Sequence, residues 1–213
     1  MKLQSTLAMK LVAIATVVGM FAGCSSPTGY QKGAQAGTAM TTAATSITRT
    51  SDQVERTLTA LNDLVERPQT DLTQQFRTFT SELNTLESMA RQVSSEAEAM
   101  KSKGAVYFDR WDQELAAIQN ENIRNRSEAR RNEVSANFQA IGANYAKAEA
   151  EFKPFLADLR DVQTFLATDL TSGGIAAVKK FATKATADAV PLRKTLATLA
   201  EEFKAMGVAL TPN

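Results

Sequence analysis

Residues 134–166 read VSANFQAIGANYAKAEAEFKPFLADLRDVQTFL. Within them Val134, Phe138, Ile141, Tyr145, Ala148, Phe152, Phe155, Leu159, Val162 and Leu166 recur at alternating spacings of four and three. Such spacing lays every apolar side chain along one stripe of a helix and predicts a packing seam. A strand would need alternation at every second residue, and no stretch of useful length shows it. Working outward, three more segments carry the same pattern. The first runs from Met40 through Ile47, Val54 and Leu61 to Val65 and stops at Arg67-Pro68, with Ser51 the one break in its seam. The second starts at Asp71, read as an N-cap with Gln74 three residues on, and runs from Leu72 to Trp111. The fourth runs from Val178 to Leu210, separated from the third by Ser172-Gly173-Gly174, which reads as a helix stop and turn.

The polar stretch QNENIRNR at 119–126 falls off the seam and marks the turn between the second and third segments. Short turns force neighbouring helices to run antiparallel. The expected fold is all-α, a long up-down-up-down helical bundle or coiled coil. The second and third helices outrun the first and fourth by about 15 residues each, which predicts a two-helix spur over residues 105–136 projecting about 24 Å. Pro154 and Pro191 lie at matching distances from Ser172. An antiparallel hairpin therefore puts them on one level, with Ser51 expected near that layer.

The amino terminus has a different character. Lys2 and Lys10 precede or flank the uncharged apolar run LVAIATVVGMF at 11–21, which ends in Ala22-Gly23-Cys24. A positive start, a short apolar stretch and a small-residue end form a secretion signal, and the run is well short of the roughly 20 residues that span a bilayer as a helix. The end resembles the lipobox of bacterial lipoproteins. That resemblance implies cleavage after residue 23, lipidation of Cys24 and a membrane anchor on the periplasmic side. Ser25 in place of aspartate implies the outer rather than the inner membrane. Residues 24–36, rich in serine, glycine and proline, are expected to be a flexible tether, and residues 37–213 a single helical-bundle domain.

Composition narrows the chemistry. The chain has 24 Lys and Arg against 23 Asp and Glu, and no histidine. Loss of Lys2 and Lys10 with the signal leaves 22 against 23, which gives no reason to expect a nucleic-acid partner. Without histidine the commonest general base and transition-metal ligand are missing. The single cysteine, Cys24, is used at the cleavage site. Acidic groups such as Asp109, Asp112 and Glu114 are interleaved with Lys and Arg, as on a solvated helix face. The expectation is a protein with no catalytic, cofactor or metal residues and no enzymatic activity.

Phe108-Asp109-Arg110-Trp111, the arginine-rich Arg124 to Arg131, and the stretch Phe155 to Val162 with Phe165-Leu166 resemble one family, the bacterial domain-of-unknown-function 2959 lipoproteins. The resemblance implies an envelope location and a coiled-coil fold, and it carries no activity. Two functional classes stay open. One is a scaffold, adaptor or interaction module with an unidentified protein or envelope partner. Its candidate surface is Tyr107, Trp111, Arg124, Arg126, Arg130 and Arg131 on the spur, with Trp111 facing Arg130 at cation–π range. The other is a carrier of an apolar or acyl ligand, with room left in the bundle by Ala182, Ala185, Ala187 and Ala189.

Overall fold

The computed structural model of the protein describes residues 27–212. Among them the chain forms four helices and no strand: α1 (Gly29–Glu66), α2 (Thr73–Ala116), α3 (Glu121–Thr168) and α4 (Ser172–Leu210). The signal segment and Cys24 lie outside the described residues. Each helix packs on the next, and α4 closes the ring on α1, leaving α1 diagonal to α3 and α2 diagonal to α4. This is the antiparallel bundle that the seams predict.

Local chemistry sets the ends. α1 stops at Glu66 because Pro68 disfavours helical geometry at Arg67, which turns out of the helix at φ −133° and ψ 53°. The first orphan donors of α3 and α4 meet side chains: Ile123 N–H donates to Asn120 Oδ1 at 3.2 Å, and Gly174 N–H to Thr171 Oγ1 at 3.2 Å. Gly173 and Gly174 therefore lie in the first turn of α4 rather than in a stop, which falls at Asp169. Gly174 must lack a side chain because a Cβ there would run into the Asp169 carbonyl. The expected capping box at the start of α2 is also corrected. Asp71 Oδ1 accepts from Thr73 N–H at 2.9 Å, but Gln74 is exposed and the working glutamine is the next one. Buried Gln75 donates to the carbonyls of Asp63 and Arg67 and accepts from Gln69 N–H, tying off the end of α1.

α1 is threonine-rich yet helical. Its hydroxyls turn back onto the carbonyl four residues earlier at Thr38, Thr41, Thr42, Thr45, Thr48, Thr50 and Thr57, so the polar atoms are satisfied within the helix. Buried Gln53 is likewise paired, donating to the Glu82 carbonyl at 3.0 Å and accepting from Arg56. Small residues let α1 and α4 close together. A Cβ on Gly37 would stand 2.6 Å from the Gly207 carbonyl oxygen, and one on Gly207 2.8 Å from the Gly37 carbonyl oxygen. The helices continue through Pro154 and Pro191, both exposed. The Lys184–Asp158 and Asn144–Glu202 contacts on either side bring the two prolines to one level, as expected. Ser51 lies near their layer: Gly37 and Gly207 meet at one level, which sets Ser51 opposite Arg193, two residues from Pro191.

Two expectations at the amino-terminal end change together. Residues 29–36, read as tether, are the first two turns of α1. Gly29, Gly33 and Ala36 are buried there, and the Gly29 N–H donates to Glu114 Oε1 at 2.8 Å. α1 thus covers α2 as far as Glu114, and α4 reaches Gly33 at Leu210. The hairpin does lie at the amino-terminal end, but only the tip, residues 115–126, stands beyond α1. The spur is shorter than expected because glycine and alanine, which suggested disorder, instead allow close helix approach.

Candidate functional site

Two places bear on function: the α2–α3 tip and the wall between α2 and α3. Near the tip, the candidate surface residues are dispersed among different tasks. Tyr107 and Trp111 are half-buried and pack ring to ring at 5.3 Å, with Phe108 beside Tyr107 at 5.2 Å. Trp111 Nε1 donates to Ser127 Oγ at 3.0 Å rather than meeting Arg130. The cation over a ring is Arg131, 5.3 Å from the centroid of Phe108, and its guanidinium also pairs with Asp112 at 2.8 Å. Arg130 pairs with Glu133. Tyr107, Trp111 and Arg131 thus hold the hairpin together. Burial pushes the Tyr107 phenol above its ordinary value, partly countered by Arg130. The side chains facing outward at the start of α3 are Glu121, Asn122, Ile123, which is 57 % exposed, Arg124, Asn125 and Arg126. Arg124 reaches the Ile118 carbonyl at 3.4 Å, closing the turn.

The second place is a groove of about 450 Å³ between α2 and α3, with Ile47 of α1 and Leu196 and Leu199 of α4 as its floor. Its origin is visible in the register. Trp111 meets Ser127 and Tyr145 donates to Ser94 at 3.3 Å, a pairing that sets Ala90 opposite Ala148. Two alanines face each other where a closed seam would carry larger side chains. Larger side chains adjoin them on both sides: Val93 and Tyr145 toward the tip, and Leu83 with Phe155 toward the other end. Charged residues rim the mouth. Arg160 holds Glu87 at 2.6 Å, Lys153 holds Glu149 at 3.2 Å, and Arg91 stands farther from Glu87 at 3.8 Å. Burial raises the Tyr145 pKa above its ordinary value, so the phenol stays protonated.

Neither the groove nor its rim was among the candidates from sequence. The signal was present in Ala90 and Ala148, seam positions equidistant from the hairpin centre, but it has meaning only once the register is known. The alanines proposed to make room, Ala182, Ala185 and Ala189, are buried in the core of α4, and Ala187 faces solvent. Among the described residues no group of three or more His, Cys, Asp or Glu could hold a metal ion. No helix of the described residues is long and apolar enough to cross a membrane.

Fold and groove define a four-helix antiparallel bundle with an apolar groove between α2 and α3. The family model described as Protein of unknown function (DUF2959) matches residues 24–205, and the chain belongs to that family. Comparison with curated proteins and with solved structures returned no match.

Proposed function

We propose that this protein is a non-enzymatic envelope lipoprotein, anchored through acylated Cys24 on the periplasmic side, at the outer membrane, and acting there as a scaffold or adaptor. The observation that supports it best is the Gly29–Glu114 hydrogen bond, which fixes the hairpin tip at the anchor end of the chain. Cys24 lies five residue steps before Gly29, a reach of about 18 Å at most. The tip extends past Glu114 by about 9 Å of helix. A chain tethered so briefly holds Ile123, Arg124 and Arg126 near the bilayer, where an apolar side chain and cations suit the head-group region. Side chains in the first turns of α3 lean toward its amino terminus, and hence toward that surface. The remainder of the bundle then stands away from the membrane and is free for a protein or envelope partner.

Replacing Cys24 by serine tests the anchor. The expected outcome is a protein that leaves the membrane fraction or remains unprocessed, and a processed, membrane-bound form unchanged by the substitution rejects the reading. Carriage of an apolar ligand is the second reading, favoured by the groove between α2 and α3.

A further inference from the structure

We propose that the α2–α3 groove is a binding site for a single-chain anionic amphiphile of the fatty-acid class. The hydrocarbon chain would lie along the floor, with the carboxylate held at the rim by Arg91 and Lys153. This deepens the second reading by naming the ligand's chain and head group, and it would stand if Cys24 were never acylated.

The shape of the groove carries the chain. Its wall on α3 extends from Tyr145 to Arg160, about 22 Å along the helix. That suits an extended chain better than a compact ring system. The lining is chiefly aliphatic and aromatic, with Ala90, Ala148, Phe152 and Leu196 among the contributors. Its 450 Å³ falls within the roughly 300–1,000 Å³ of small-molecule sites. An apolar groove of this size forfeits dispersion contacts when empty and regains them when hydrocarbon enters.

Charge at the mouth selects the head. Arg91, Lys153 and Arg160 face Glu87 and Glu149, an excess of one positive charge. Arg160 is committed to Glu87 through two nitrogens, at 2.8 and 2.6 Å. Arg91 is the loosely held cation, and Lys153, largely exposed, can turn from Glu149. A carboxylate between these two would receive charge-assisted hydrogen bonds and neutralise the excess. Tyr145 and Ser94, one turn from Arg91, satisfy each other, leaving no unpaired polar group at that end of the groove.

The test uses the mature chain carrying Cys24→Ser, which retains all four helices, titrated calorimetrically with laurate and with its neutral counterpart dodecanol. Laurate is expected to bind one to one. Substituting Ala90→Leu and Ala148→Leu together is expected to abolish binding without lowering the melting temperature, because the new side chains occupy existing space. Arg91→Gln with Lys153→Gln is expected to weaken laurate by about tenfold while leaving dodecanol unchanged, the loss expected of charge-assisted contacts at an exposed mouth. Equal binding of both probes, unaffected by the glutamines, overturns the anionic head group and leaves apolar carriage standing. Absence of saturable binding, or binding that survives the leucines in a folded variant, overturns the groove as a site and the second reading with it.

Discussion

The Gly37–Gly207 stretch of the α1–α4 seam and the Ala90–Ala148 stretch of the α2–α3 seam are built from similar helices yet end in opposite states. Where Gly37 meets Gly207 the backbones touch through missing side chains, and no space remains. Where Ala90 meets Ala148 the residues are almost as small, but a groove opens. The difference lies in the adjoining layers. Beside Gly37 and Gly207 come Gly33, Ala36 and Met40, which allow the helices to approach. Around Ala90 and Ala148 come Val93, Tyr145, Phe152 and Phe155, which hold them apart. Small residues close a seam only when their neighbours in the helix permit it.

The largest effect should come from emptying the closed core. Phe203 is fully buried, so Phe203→Ala should cost about 3–5 kcal/mol. Phe152→Ala, on the groove wall, should cost visibly less, since its surroundings are already partly open. Denaturant melts of the two variants compare them directly, and equal losses would mean that the groove wall is packed as tightly as the core. Next in size is the glycine contact. Gly207→Ala gains about 1 kcal/mol of helix propensity but meets the Gly37 carbonyl and Thr41, an overpacking cost of roughly 1–3 kcal/mol. A net loss of up to about 2 kcal/mol is expected. Gly142→Ala is the matched control: nothing lies within 4 Å of its Cβ, so it should stabilise by about 1 kcal/mol. If both glycine variants stabilise, the α1–α4 approach is not as close as described.

The smallest effect belongs to neither seam and calibrates both. The Asp71 carboxylate is held below its ordinary value of 3.8 by its hydrogen bonds with Thr73. A carboxylate with a depressed folded pKa contributes stability above its unfolded pKa and loses it as pH falls through the folded value. The melting temperature of Asp71→Asn should therefore fall slightly below that of the parent near neutral pH and converge with it in acid. A gap that persists in acid well below the folded pKa would point to another role for this residue.

Periodicity made all four helices legible, because a seam of apolar residues depends only on local spacing. It also located the α2–α3 turn near Asn120 and the prolines on one level, since both follow from counting along an antiparallel hairpin. What escaped depended on residues far apart in the chain. Residues 29–36 have the composition of a linker, and only Glu114, Tyr107 and Leu210 on other helices turn their glycines into packing positions. Gln75 looked like any polar residue in a first turn until Asp63 and Arg67 were placed above it. The arginine over an aromatic ring was expected at Arg130 and is found at Arg131, because one residue is a rotation of about 100° around a helix. The candidate groove needed two helices in register before its alanines had any meaning.

The seam between Gly37 and Gly207 has a temporal side as well. It joins residues near the two ends of the described chain, whereas α1 with α2, α2 with α3 and α3 with α4 are hairpins of neighbours. Neighbouring hairpins close short loops and form early; a contact between the first and last helices closes the longest loop available. One of the closest interfaces of this bundle is therefore the one that must wait. Until α4 has emerged, the glycine and alanine face of α1 has no partner to seal it. Closure of the ring, rather than formation of any helix, is the step that makes the structure whole.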